Sequence, residues 1–341
     1  MSMQVKLIEA YQMMRLAKRI LIIAHLRPDG DALSSVAAIS LIAKDLGKDT
    51  ACYCKDKNQD LFNYLPGFSE IESDWNKLKS EQGVSHNLME KFDLIIVNDC
   101  GSLARTALVE EIKEYKSQGG KIIEFDHHPR IDKYASLEIR YPELSSTSEL
   151  IYRFIMVNKI KLSRELADCV LTGILTDTGN LLYPSASDDT LKAVAAAMTA
   201  GAHYSKIVSY TLKNKDMSVV KMWGIALERL KINRRYQVAT SVITRQDIQE
   251  ILGNDRLDGA AESDLFSGLA GFLSNLAGAK AIVLIYEDAN GLIKGSLRST
   301  PNGFMVDKLA RALGGGGHER AAGFSFPGHL EKRENHWMII S

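Results

Sequence analysis

Three short apolar runs, Ile20–His25 (ILIIAH), Leu94–Asn98 (LIIVN) and Lys121–Phe125 (KIIEF), each lead straight into acidic or histidine residues. Runs of this length, bounded by turn residues and separated by charged helical stretches, read as buried parallel strands joined by helical crossovers. The fold class expected is therefore α/β, with an N-terminal doubly wound, mostly parallel sheet whose ligand sites lie beyond the carboxyl ends of its strands. Ala32–Leu46 reads as a helix stopped by Gly47, and Thr50–Tyr53 as a further strand. Ser146 with Glu149 fits a capping box opening a helix to about Val157. A helical pattern that begins near Ser163 ends on Asp177.

The pattern changes further along. An Ala-rich helical stretch from about Asp188 to Ser205 carries Gly201 and leads into a connector. Beyond it Tyr236–Ile243, Ala281–Tyr286 and Leu292–Arg298 read as strands, the last preceded by the turn Ala289-Asn290-Gly291. Helices are expected over Asp247–Leu252, Ser267–Leu276 and Gly303–Leu313. Hairpin-like pairing in place of crossovers marks a second, smaller α/β domain. A chain of 341 residues exceeds the length at which one core stops growing. The divisions expected are residues 1–190, a helical linker 191–215, and 216–341.

With 45% apolar and 25% charged residues the chain is globular, which sets aside disorder, collagen and coiled coil. Lys and Arg (42) balance Asp and Glu (42), so no overall field exists to hold long duplex DNA or an anionic membrane. An anionic substrate needs a local site. Cys52, Cys54, Cys100 and Cys169 form no CxxC pair, which fits a reducing cytoplasm better than a disulfide framework or structural zinc. The apolar run at Ile20–Ala24 is far shorter than the roughly 18 residues a spanning helix needs, so neither insertion nor export is expected.

His25, Asp29 and Asp31 lie on the loop after the first strand, where Pro28 and Gly30 shape a tight turn. Two carboxylates so close are costly unless a cation sits between them. An Asp-Gly turn with Asp31 as helix N-cap explains the same residues. Asp99 follows the second run, and Asp126-His127-His128 the third. Lone acids at strand ends are often turn formers, but two adjacent histidines beside an acid gain nothing from packing. With Asp177, the set matches the carboxylate and imidazole ligands of a two-metal site, Mn²⁺ or Mg²⁺ in preference to structural zinc. Such a pair of ions activates water, which points to hydrolysis.

Gly314–Gly317 and His318 follow a helical pattern and precede a small-residue segment and Phe324-Ser325-Phe326. Consecutive glycines let backbone N–H groups approach an anion, although a linker would look the same. The run is neither a Walker A loop nor GxGxxG after a strand, so nucleoside triphosphate cleavage loses support. Arg298 is a charged partner for a phosphate or a solvated strand-end residue. No basic tract interleaved with aromatic residues suggests extended single-strand binding.

Taken together, His25-x-x-x-Asp29-x-Asp31, Asp99, Asp126-His127-His128, Asp177 and Gly314–His318 resemble the motifs of the DHH/DHHA1 phosphoesterase superfamily over nearly the whole chain. The size is similar to that of its oligoribonuclease (nanoRNase) and 3′-phosphoadenosine 5′-phosphate phosphatase subgroup. The resemblance implies a DHH domain (1–190), a DHHA1 domain (216–341) and an active site in an interdomain cleft. It also implies two Mn²⁺ ions, one on His25, Asp29 and Asp99 and the other on Asp31, Asp99, His127 and Asp177. His128 would lie beside the scissile phosphate, Asp126 would orient the histidines, and Arg298, Gly315, Gly316, Gly317 and His318 would grip the substrate. The activity implied is hydrolysis of short oligoribonucleotides or dinucleotides, and of 3′-phosphoadenosine 5′-phosphate. Cyclic-dinucleotide or pApA phosphodiesterase, RecJ-like exonuclease, polyphosphate or pyrophosphate hydrolase, and a non-enzymatic nucleotide-binding regulator are the alternatives. A short RNA or nucleotide is the partner expected, with a homodimer left open. Residues 331–341 match no family feature.

Overall fold

The computed structural model describes residues 1–57, 61–80, 88–211, 217–253, 266, 268–288, 291–300, 303–317, 319–334 and 336–340. The chain divides into two compact units. Unit 1 comprises Met1–Leu181 with Ser185–Lys213, and unit 2 comprises Leu182–Pro184 with Asn214–Ser341.

Unit 1 begins with α1 (Met3–Leu16), β1 (Arg19–Ile23), α2 (Gly30–Asp45), β2 (Asp49–Tyr53), β3 (Ile71–Glu72), α3 (Trp75–Ser80) and α4 (Leu88–Lys91). It continues with β4 (Leu94–Asn98), α5 (Val109–Ser117), β5 (Lys121–Asp126), β6 (Leu137–Arg140), α6 (Thr147–Val157), α7 (Arg164–Asp177), α8 (Asp188–Thr199) and α9 (Tyr204–Thr211). The strands form one six-stranded sheet in the order β3-β2-β1-β4-β5-β6. Every pair in it is parallel.

Alternation along each strand explains why the runs look uniformly apolar. Ile20, Ile22, Leu94, Ile96, Ile123 and Phe125 face a core shared with α1, α2, α6 and α7. Leu21, Ile23, Ile95, Val97 and Ile122 face a second core with Leu108, Ile112 and Tyr115. Both faces are covered, so the interiors of β1, β4 and β5 are apolar except at Glu124, which is buried against Arg140, and the acidic and histidine residues gather where the chain emerges at the carboxyl end. Each fully buried Ile contributes about 1.5–3 kcal/mol. That end is thereby held on a rigid platform.

The structure departs from the sequence reading in several places. Ser146 caps α6 by accepting from Glu149 N–H, but the reciprocal bond of a capping box is missing. The Glu149 carboxylate instead accepts from Ser145 N–H and Oγ–H and from Thr190 Oγ1–H. Capping of α2 falls to Asp29, which accepts from Ala32 N–H at 3.0 Å, rather than to Asp31.

Unit 2 contains α10 (Met217–Glu228), β7 (Lys231–Asn233), β8 (Val238–Ile243), α11 (Arg245–Leu252), a helical stretch α12 over 268–273, β9 (Ala281–Glu287) and β10 (Leu292–Ser299). After these come α13 (Asp307–Ala312), β11 (Gly316–Gly317), β12 (Ala321–Pro327), β13 (His329–Arg333) and β14 (His336–Ile340). A six-stranded sheet runs β11-β12-β10-β9-β8-β7. Hairpin-like pairing holds except between β8 and β9, which are parallel with α11 between them. The helix expected from Gly303 starts only at Asp307, because Val306 N–H bonds Glu319 C=O. A Cβ on Gly303 would also stand 1.9 Å from Lys280 O. Residues 329–340 pair as a separate β13-β14 hairpin. Ala289, Asn290 and Ser267 lie outside the described residues. Among the described residues no helix is long and apolar enough to cross a membrane.

Candidate active site

Asp99 directly follows β4, Asp126 ends β5, His127 and His128 follow it, and His25 lies just past β1. Asp29 and Asp31 open α2, and Asp177 closes α7. Three triads of potential ligand atoms result, each within 4.8 Å: His25, Asp29 and Asp99; Asp31, His127 and Asp177; Asp99, His127 and His128. Asp99 and His127 each belong to two of them.

The first turn of α6 anchors this cluster. Thr147 N–H and Ser148 N–H donate to the two oxygens of Asp31 at 2.7 and 2.8 Å, and Thr147 Oγ1–H donates to Asp99 Oδ1 at 2.8 Å. Two free amides and the positive end of the helix dipole are thus spent on the buried Asp31 carboxylate, and the Thr147 hydroxyl on that of Asp99. Asp99 adopts φ +60°, a conformation non-glycine residues seldom hold, while its N–H bonds Phe125 C=O at 2.8 Å. Close approach of α7 depends on Gly173, where a Cβ would fall 1.9 Å from Ser148 Oγ and 2.4 Å from Asp31 Oδ1.

Histidine orientation follows one rule. His25 Nδ1 lies 2.7 Å from Leu26 O, and His127 Nδ1 3.4 Å from Leu144 O, so both rings can keep a proton on Nδ1 and turn Nε2 inward. His25 Nε2 is 3.7 Å from Asp99 Oδ2, buried and without a hydrogen-bond partner. His127 Nε2 is 3.3 Å from Asp177 Oδ2 and 3.6 Å from Asp99 Oδ1. His128 Nδ1 and N–H both meet Asp126 Oδ1, at 2.9 and 2.7 Å, while Asp126 Oδ2 accepts from Gly101 N–H at 2.6 Å.

The cluster holds its charge uneasily. Burial, then the charges of Asp99 and Asp177, push Asp31 well above the usual carboxylate range. Burial likewise pushes Asp177 up to about 7. For His127 burial disfavours the charged ring, yet Asp177, Asp99 and Asp31 outweigh it and raise the pKa to about 9. Burial is overcome in the same way at His25, raised by Asp99 and Asp29. At Asp99 burial opposes ionisation, but His25, His128 and His127 hold the carboxyl below its ordinary range.

In unit 2, a cavity of about 600 Å³ is bordered by Arg298, Gly315, Gly316, Gly317, Lys294 and Phe324, among others. The glycine run does not hang as a free loop. Gly314 (φ +77°) ends α13, and Gly316 and Gly317 form the two-residue edge strand β11 against Gly323 and Ala322 of β12. A Cβ on Gly315 would stand 2.0 Å from Gly323 O, so only glycine lets these backbones meet. Burial lowers the pKa of Arg298, whose Nη1–H donates to Leu297 O at 3.0 Å. His318 lies outside the described residues.

Residues 19–174 match the family model of the DHH family, N-terminal domain, and residues 236–336 that of the DHHA1 domain, a match that takes in residues 331–336, where the sequence offered no family feature. The chain belongs to the DHH/DHHA1 phosphoesterase family. The bifunctional oligoribonuclease and PAP phosphatase of Bacillus subtilis is 27% identical over 305 residues, 88% of this chain and 87% of that protein. Its counterpart in Thermus thermophilus is 26% identical over 309 residues, 91% and 84% of the two chains. The crystal structure of an exopolyphosphatase-related protein from Bacteroides fragilis has a TM-score of 0.78 at 24% identity, covering 95% of this chain and 91% of that one. That likeness establishes the shared fold.

The DHH domain contains supporting residues that the sequence did not disclose. Besides Thr147 and Ser148, Arg140 at the end of β6 is buried and donates to His128 O (2.8 Å) and Glu124 Oε1 (2.6 Å), with Asp126 Oδ2 at 3.2 Å. Arg105, in the 3-10 turn Leu103–Thr106 after β4, places Nη2 2.8 Å from His25 Nδ1. The Ser145–Ser148 run was the visible signal for the first pair. Nothing in the sequence marked the two arginines.

Proposed function

We propose that this phosphoesterase hydrolyses short oligoribonucleotides to mononucleotides and removes the 3′-phosphate of 3′-phosphoadenosine 5′-phosphate. The observation that carries this reading is the match to the bifunctional Bacillus subtilis enzyme across both domains, which extends over nearly the full length of each protein.

The donor set supports divalent cations. Four aspartates and two inward-facing imidazoles converge, one imidazole nitrogen is buried and unpartnered, and two carboxylates are driven toward protonation by burial. Hard oxygen donors mixed with imidazole suit Mn²⁺, with Mg²⁺ the nearest alternative. In this reading His25, Asp29 and Asp99 would hold one ion and Asp31, Asp99, His127 and Asp177 the other, with Asp99 common to both sets. Two ions so held supply an activated water and neutralise phosphoryl charge. The α6 amides keep Asp31 in position and the Thr147 hydroxyl keeps Asp99, and the carbonyls of Leu26 and Leu144 fix the two imidazoles. Asp126 orients His128, which donates a proton or hydrogen bond to the reacting phosphate. Arg298 and the Gly315–His318 segment hold the substrate's terminal nucleotide or phosphate.

The test is a substrate panel with the metal-stripped full chain: dinucleotides to pentanucleotides, 3′-phosphoadenosine 5′-phosphate, pApA and tripolyphosphate, with and without added Mn²⁺. Mn²⁺-dependent release of mononucleotides and of AMP is expected. Activity confined to tripolyphosphate would overturn the assignment.

A further inference from the structure

Arg105 extends toward the same end of the sheet as the carboxylate cluster. Its Nη2 is 2.8 Å from His25 Nδ1, and its carbonyl accepts from Leu26 N–H at 2.7 Å. Its Nη1 stands 3.4 Å from where a Cβ on Gly101 would sit, a point 3.6 Å from His128 Cβ. Arg105 is half-buried, with His25 at one end of its guanidinium and the Gly101 backbone near the other. Among the described residues no carboxylate pairs with it, although four lie in the neighbouring cluster.

His25 Nδ1 faces two groups that it cannot serve together. As N–H it donates to Leu26 O at 2.7 Å; as a lone pair it accepts from Arg105 Nη2 at 2.8 Å. A ring that offers Nε2 to a cation carries its proton on Nδ1, which satisfies the carbonyl and leaves Arg105 without that acceptor. The fork released beside His128 matches the geometry of phosphate oxygens.

The geometry points to Arg105 as a substrate-contacting residue of the DHH domain, a guanidinium that leaves His25 when the cluster holds a cation and donates to non-bridging oxygens of the phosphoryl group. This rests on the cation reading above, so its test measures metal and anion separately. Calorimetric titrations of Mn²⁺, and of inorganic phosphate into the Mn²⁺-loaded full chain, are compared for wild type, Arg105→Gln and Arg105→Lys. Arg105→Gln is expected to weaken phosphate binding about tenfold to a hundredfold, the range of a charge-assisted hydrogen bond, with Mn²⁺ affinity within about twofold of wild type. Should that variant not fold, Arg105→Lys carries the test: a single ammonium lacks the fork and binds phosphate more weakly with Mn²⁺ affinity unchanged. Wild-type phosphate affinity in the folded variant would overturn the assignment. So would an equal loss of Mn²⁺ and phosphate, since Arg105 would then act only by positioning His25. A wild-type chain that binds no Mn²⁺ would strike the cation reading itself.

Discussion

At Asp99 a single carboxylate meets the Thr147 hydroxyl and lies within 4 Å of three imidazoles, and its backbone is bent into the left-handed region to do so. Asp99→Asn keeps the shape and removes the charge. A loss of at least about a hundredfold in rate is expected, as when a metal-positioning group fails, together with weakened Mn²⁺ binding by calorimetry. The neighbours add a pH dependence. Asp31 and Asp177 (about 7) are raised acids and His127 (about 9) a raised base, so the metal-free cluster holds protons near neutrality that a cation must displace. Mn²⁺ affinity should therefore climb as pH rises from about 6 to 9, with proton release on binding. For the metal-free protein, the raised acids and the raised histidine act alike. Each favours the protonated folded state, so stability is greatest at the acid side of this range and falls as pH rises through about 7 and then 9. Thermal unfolding with and without Mn²⁺ at pH 6 and pH 8.5 reads both effects; a larger Mn²⁺ shift at pH 6 would refute them.

The elements divide into those a sequence announces and those it conceals. β1, β4 and β5 are buried on both faces, so their continuous apolar runs were legible, and with them the strand ends that carry His25, Asp99 and Asp126. β3 has two residues and β6 four, too few for a pattern. β11 was concealed because glycine reads as loop, and here it forms an edge strand in which a Cβ on Gly317 would stand 2.5 Å from Ala322 Cα, while Gly316 has open space. The role of α6 was hidden for another reason: its amides serve Asp31, 116 residues away in sequence. Glycines on helices separate structural from spatial need. Gly173→Ala in α7 drives a Cβ into Ser148 and Asp31, and about 1–3 kcal/mol of destabilisation is expected with reduced Mn²⁺ affinity. Gly224→Ala in α10 meets nothing within 4 Å and should stabilise by about 0.5–1 kcal/mol. Urea unfolding of both variants checks the contrast, and equal effects would show that α7 does not need its glycine.

The whole molecule is formally neutral, with basic and acidic residues equal in number. A neutral chain that grips phosphate only locally releases few counterions, so binding of a trinucleotide should fall gently with salt, with a log-log slope reflecting about one to three phosphate contacts. Arg298→Ala should reduce that slope by about one and raise KM for dinucleotides to pentanucleotides, while leaving Mn²⁺ binding and hydrolysis of bis(p-nitrophenyl) phosphate in place. An unchanged slope would remove Arg298 from substrate binding. Hydrolysis of a trinucleotide and of a 40-nucleotide strand by the Mn²⁺-loaded chain, compared over a range of salt concentrations, shows whether short substrates are the ones the enzyme selects. Strong preference for the trinucleotide with shallow salt dependence is expected; equal turnover of both with a steep salt dependence would rule out a short-substrate enzyme and favour a long-strand exonuclease.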